Sequence, residues 1–232
     1  MNYLAHAYLS FGIPEIAVGN LISDFVKGKK KFDYPGRIQA GISLHRSIDT
    51  FTDTHPVTRI AKSYFRADYG LYAGALTDVA YDHFLANDPV AFSPAGGGEA
   101  GGGEAGAGLA AQTEAGLAAQ TEAGLAAFAQ KTYDQLAAWE SVFPERFARL
   151  FPYMRGQNWL YHYRWKEGIF NSFAGLSRRA AYMPGPEQAC RLFETHYREL
   201  EACYKEFFPL LKDFAFQTLE HLEPDTGSGK IG

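Results

Sequence analysis

Between Gly41 and Pro56 the chain reads Gly-Ile-Ser-Leu-His-Arg-Ser-Ile-Asp-Thr-Phe-Thr-Asp-Thr-His-Pro. Leu44, Ile48 and Phe51 recur at helical spacing, so His45 and Asp49 stack one turn apart beside an apolar stripe. An imidazole and a carboxylate so placed can share one divalent ion and leave coordination positions for water. The spacing alone also describes an ordinary exposed pair, so the assignment needs further ligands nearby. Asp53 follows one turn beyond Asp49, where it suits an orienting residue or a cap better than a ligand.

Further candidates lie on the neighbouring stretches. Tyr72 to Asn87 is an apolar helical run carrying Asp78 and Asp82 one turn apart and His83 beside the second. No lysine or arginine occurs in that run, and a bound cation would relieve the repulsion of its two carboxylates. Asp24 interrupts the apolar run Ala17 to Lys27, and if buried it needs a basic partner, backbone donors or a metal. His6 sits among Leu4, Ala5, Tyr8 and Leu9, which recur at helical spacing; it reads as a boundary histidine or a ligand.

These residues need helices to position them. The chain has 232 residues, 47% of them hydrophobic and 15% aromatic, enough for a substantial core. The expectation is an all-α bundle in which His6, Asp24, His45, Asp49, Asp78, Asp82 and His83 project inward from facing helices. Mixed histidine and carboxylate ligands without thiolate favour Mn²⁺, Fe²⁺, Mg²⁺ or Zn²⁺ in an open, hydrolytic site. One helical domain is expected over residues 1–222, with a loose tail over 223–232. It is interrupted at about 94–124 by repeats: Gly-Gly-Gly-Glu-Ala twice, then Gly-Leu-Ala-Ala-Gln-Thr-Glu-Ala twice. The glycine-rich half reads as a flexible linker, and the Leu/Ala/Gln half can extend the following helix. Glu187 to Leu222 reads as one long helical tract, with Pro209 as its kink or break.

A net charge of −4 argues against a general nucleic-acid binder, so basic clusters are read locally. Lys27, Lys29, Lys30, Lys31 and Arg37 border the candidate metal residues, and an approaching anion would meet them first. Arg178 and Arg179 form a second pair, suited to a helix end or to phosphate. Cys190 and Cys203 fall on nearly opposite sides of a helical tract, which disfavours a disulfide and suits a reducing compartment. No apolar run is long enough to span a membrane, and the expected location is cytoplasmic.

Four segments together, Met-Asn-Tyr-Leu-Ala-His, Gly-Asn-Leu-Ile-Ser-Asp-Phe-Val-Lys-Gly, Gly-Ile-Ser-Leu-His-Arg-Ser-Ile-Asp-Thr-Phe-Thr-Asp and Leu-Thr-Asp-Val-Ala-Tyr-Asp-His-Phe-Leu, resemble the acyl carrier protein phosphodiesterase family. That family is a divergent relative of HD-domain metal-dependent phosphohydrolases. The resemblance implies an HD-domain-like all-α bundle with a central metal site, manganese favoured, and removal of the 4′-phosphopantetheine arm from holo acyl carrier protein. It places Asp24, His45, Asp49, Asp78 and Asp82 at or next to the metal. Asp53 or Asp82 would take the proton of water, and His83 or His6 would protonate the leaving group. The acidic carrier would dock on Lys27, Lys29, Lys30, Lys31, Arg37, Arg178 and Arg179. Tyr163 and Arg164 also match family positions, and Trp159, Tyr163 and Trp165 would flank the arm. Two other readings stay open: a phosphohydrolase of nucleotides or other small phosphodiesters, and a non-catalytic helical module that binds the carrier.

Overall fold

A computed structural model describes residues 1–93, 114–180 and 182–222. Among these residues there is no strand, and the regular structure is helical throughout. The helices are α1 (Tyr3–Tyr8), α2 (Pro14–Ile22), α3 (Gly36–Thr54), α4 (Pro56–Tyr69), α5 (Ala73–Ala86) and α6 (Glu114–Ala137). They continue as α7 (Glu145–Gly156), α8 (Trp159–His162), α9 (Lys166–Arg179), α10 (Pro186–Thr195) and α11 (Tyr197–Leu222).

Helix α5 forms the centre. Ala73, Leu76, Thr77 and the whole run Val79 to Ala86 are buried, which is what a helix apolar on nearly every side requires. It meets α1, α4, α9 and α11. Helix α3 is amphipathic instead: Ile38, Ile42, Leu44 and Ile48 are buried, and it lies between α2 and α11. The α2–α3 crossing is backbone against backbone. A Cβ on Gly19 would come 2.1 Å from the Ile38 carbonyl oxygen, and one on Gly41 would come 2.3 Å from that of Ile16. Side chains at either position would force the helices apart and separate the residues that follow them, Asp24 and His45.

The tract Glu187 to Leu222 breaks at His196, not at Pro209. Pro209 stays inside α11, on an exposed face shared with Lys205, the residue whose carbonyl it leaves without its helical donor. The earlier break lets two apolar faces point differently. Ala189 and Phe193 of α10 are buried towards α4 and α9, while Leu200, Phe207 and Leu211 of α11 are buried along α3, α4 and α5. Cys190 and Cys203 thus fall on separate helices, both as free thiols.

From Glu114 the repeat is helical and forms the first turns of α6. Its Glu122 accepts a hydrogen bond from the Tyr161 hydroxyl at 2.8 Å and pairs with Arg164 at 3.4 Å. The linker expected over the glycine-rich half and the tail over 223–232 lie outside the described residues. No helix among those described is long and apolar enough to cross a membrane.

Candidate metal centre

Three segments converge on the face of α3. His45 Nε2 lies 3.1 Å from Asp49 Oδ2 and 3.2 Å from Oδ1 of Asp24, which sits in the 3₁₀ turn Ser23–Phe25 after α2. Helix α1 lays the His6 ring on that of His45, centroids 3.9 Å apart and planes 17° from parallel. His6, His45 and Asp49 each offer a ligand atom, all within 4.8 Å of one another.

Six residues of helix cannot hold themselves in place, so α1 is fastened at both ends. At its start the Asp82 carboxylate accepts hydrogen bonds from Leu4 N at 2.8 Å and Ala5 N at 3.1 Å, answering two N–H groups that a helix leaves unpaired. At its end the His6 carbonyl accepts from Ser10 Oγ at 2.8 Å and Asn20 Nδ2 at 2.9 Å. The His6 ring is thereby aimed at α3 without itself being tied. Its Nδ1 and Nε2 are both buried and lack a hydrogen bond; Nε2 stands 3.3 Å from Asp49 Oδ1 in a geometry that makes none.

The charges are strongly coupled. Burial opposes a charge on His45, but hydrogen bonds with Asp24 and Asp49 outweigh it and raise its pKa to about 9. Burial, reinforced by His45, lowers His6 to about 4 and keeps it neutral at pH 7. Burial would raise Asp49, yet the hydrogen bond with His45 and the contacts with His6 and the Met1 ammonium hold it well below the usual carboxylate range. The hydrogen bond with His45 lowers Asp24 as well. The buried Met1 ammonium lies 3.2 Å from Asp49 Oδ1 and 3.3 Å from Asp78 Oδ1. Burial acts against that charge, but Asp78 and Asp49 raise its pKa to about 10.

The donor set suits a divalent ion. Buried histidine nitrogens without hydrogen bonds are costly unless something coordinates them. Those of His6 face a second imidazole and a carboxylate, and His45 Nδ1 is a further buried nitrogen without a hydrogen bond. His6, His45 and Asp49 would hold the ion, with Asp24 orienting His45. Asp78 stands at the edge of this group, sharing the Met1 ammonium with Asp49.

Other expected site residues have different partners. Asp82 is fully buried and occupied as the α1 cap; burial outweighs its two backbone donors and raises its pKa to about 7. His83 has both ring nitrogens engaged, Nδ1 with the Tyr163 carbonyl at 2.8 Å and Nε2 with the Tyr197 hydroxyl at 2.9 Å. A carbonyl only accepts, so Nδ1 carries the hydrogen and Nε2 receives the Tyr197 proton. Asp53 is ion-paired with Lys62 at 2.6 Å. The structure therefore brings His6, Asp24, His45, Asp49 and Asp78 together, while Asp53, Asp82 and His83 have partners elsewhere, on Lys62, on the start of α1 and on Tyr163 and Tyr197.

Among the basic candidates, Lys27, Lys29, Lys30, Arg37, Arg178 and Arg179 are exposed, and Lys31 is half-buried within 3.4 Å of Ser43 Oγ. Arg164 is tied to α6 through Glu122 and the Ala118 carbonyl, and it lies over the exposed Trp165 ring. Tyr163 is buried. Sequence reasoning missed Asn20 as the clamp on α1; its signal was a polar amide inside the apolar run of α2. The Met1 ammonium had no signal, because only the fold carries it to Asp49 and Asp78.

The family model described as acyl carrier protein phosphodiesterase matches residues 1–96 and 116–211, so both helical halves are matched and the unmatched gap falls within the repeats. Relatives bearing that name are similar along almost the whole chain. One from Yersinia pestis is 29% identical over 211 residues, covering 91% of this chain and 95% of the relative. One from Salmonella paratyphi A is 30% identical over 209 residues, covering 90% and 94%. One from Photorhabdus laumondii is 27% identical over 215 residues, covering 93% and 95%. No solved structure matches the chain. With the matched stretches spanning the helices that carry His6, Asp24, His45 and Asp49, the chain belongs to the acyl carrier protein phosphodiesterase family.

Proposed function

We propose that the chain removes the 4′-phosphopantetheine arm from holo acyl carrier protein by hydrolysis, using a divalent ion, with manganese favoured, at His6, His45 and Asp49. The observation that carries this reading is the His6 ring, buried without a hydrogen bond and stacked on His45 beside Asp49, in a chain of this family. Water is added across the phosphorus–oxygen bond to the carrier's serine. The hydroxyl goes to phosphorus, the hydrogen to the serine oxygen, and apo carrier and 4′-phosphopantetheine are the products.

When bound, a divalent ion supplies Lewis acidity, which acidifies water and draws charge from a phosphodiester. The protein's groups do the rest. Asp24 is exposed and within hydrogen-bond reach of His45, so it holds that imidazole's orientation and can take a proton from water at Oδ2. Arg178 and Arg179 offer charge to the diester, and Lys27, Lys29, Lys30, Lys31 and Arg37 offer it to the acidic carrier.

The test is the intact mass of holo acyl carrier protein after incubation with metal-stripped protein, with and without Mn²⁺. The expected result is loss of the phosphopantetheine mass only with metal. An unchanged mass with every divalent ion tried, from folded and metal-loaded protein, would overturn the reading and turn attention to nucleotides.

A further inference from the structure

A groove of about 670 Å³ opens beside the cluster, within the range of about 300–1,000 Å³ that small-molecule sites occupy. One wall is a single face of α9. Gly168, Asn171, Ser172, Gly175, Leu176 and Arg179 all line it and fall at helical spacing. Tyr3 and Val79 line it too, next in sequence to Asn2 and to Asp78. Asn2 and Tyr3 follow Met1, whose ammonium lies 3.2 Å from Asp49 and 3.3 Å from Asp78, so the groove adjoins the metal residues where α1 begins.

Two glycines of α9 differ in what they leave room for. At Gly168 a Cβ would come 2.0 Å from the His162 carbonyl oxygen, so packing demands glycine there. At Gly175 the nearest atom would be the Arg178 guanidinium at 3.9 Å. A glycine inside a helix is less favourable than alanine, and no neighbour requires this one. What its missing side chain does provide is width in the groove.

We propose that this groove is the seat of the pantetheine arm, laid along α9 with its phosphodiester at Tyr3, Arg178 and Arg179 and its thiol end toward Gly168. The inference rests on the carrier-protein reading above and names how the substrate's arm is recognised. The lengths agree. Gly168 to Arg179 spans about 16 Å of helix, and the arm, with a backbone like that of four to five extended residues, reaches about 15 Å. The chemistry agrees as well. The arm carries one anion, two amides and a hydroxyl on an otherwise aliphatic chain. The groove sets two arginines at one end and Asn171 and Ser172 along a wall shared with Leu176 and Val79. Trp159 and Tyr163 line the groove, and Trp165 is not among its lining residues.

The test pairs calorimetric titration of the full chain with pantetheine against steady-state hydrolysis of holo acyl carrier protein, for the native protein and two variants. Gly175→Leu fills the groove, and Asn171→Leu removes an exposed amide whose loss the fold tolerates. Both variants are expected to weaken pantetheine binding and to raise KM for the holo carrier about tenfold or more, with kcat changed less. Folded variants that leave binding and KM unchanged would overturn the groove assignment while the hydrolysis stands. A native protein that hydrolyses the carrier yet does not take up pantetheine would overturn it in the same way. Pantetheine bound by the native protein and lost in Gly175→Leu, with the carrier's mass unchanged, would overturn the hydrolysis and keep the groove.

Discussion

Helices α3 and α5 carry almost the same pattern of titratable residues and put it to different use. On α3, His45 and Asp49 stand one turn apart with a second imidazole stacked above them and an exposed carboxylate alongside. On α5, Asp82 and His83 are buried, and every bond they make goes to the protein's own frame: Leu4 N, Ala5 N, the Tyr163 carbonyl and the Tyr197 hydroxyl. Spacing on a helix selects residues able to do chemistry. Whether they are free to do it depends on partners supplied by other helices, and α5, at the centre of the bundle, has partners on every side. Asp78 stands between the two cases, on α5 but paired with the same ammonium as Asp49.

The contrast makes predictions of unequal size. The largest concerns the α3 side. His6→Ala and Asp49→Ala should each lower kcat/KM for holo carrier by about 10³-fold, and Asp49→Ala should also lower the thermal midpoint, because it takes a charge partner from the buried Met1 ammonium and from His45. A loss of less than tenfold in either would remove that residue from the metal group.

Next comes Asp82, whose loss should be felt as instability. Asp82→Ala leaves two buried N–H groups at the start of α1 without an acceptor, at a cost of about 3 kcal/mol. Urea unfolding measures it, and an undiminished midpoint would show that α1 does not depend on this cap.

The third prediction concerns pH. His83 titrates near 6.5 when unfolded, and burial lowers it to about 4 when folded. Between those values the unfolded chain binds more protons, so stability is complete above about pH 6.5 and falls as pH drops toward 4. The loss amounts to about 3 kcal/mol. In His83→Gln the difference in unfolding free energy between pH 7 and pH 4 should shrink by about that amount. The part due to His6, lowered in the same direction, should remain.

Much of this was legible in the sequence. The periodicity of Leu44, Ile48 and Phe51 places α3, the unbroken apolar run after Tyr72 places α5, and the company of His45, Asp49, Asp24 and His6 follows from their packing as a bundle. What was hidden is long-range. Asp82 meets Leu4 and Ala5 across 78 and 77 positions, and His83 meets Tyr197 across 114, so no local pattern could show that these residues were already satisfied. The break at His196 was hidden for a related reason. Pro209 costs α11 one helical hydrogen bond, and the exposed face it shares with Lys205, where that loss is most easily borne, comes from how α11 packs. The groove along α9 had only a faint trace, Gly168 and Gly175 seven positions apart. Their opposite surroundings separate a packing glycine from one that leaves space.

The most direct measurement compares His45→Ala with His83→Gln, both folded and both supplied with Mn²⁺, by the intact mass of holo acyl carrier protein after incubation. The account predicts that the carrier keeps its phosphopantetheine with His45→Ala and loses it with His83→Gln. The reverse outcome, an active His45→Ala and an inactive His83→Gln, would contradict it and move the chemistry from α3 to α5.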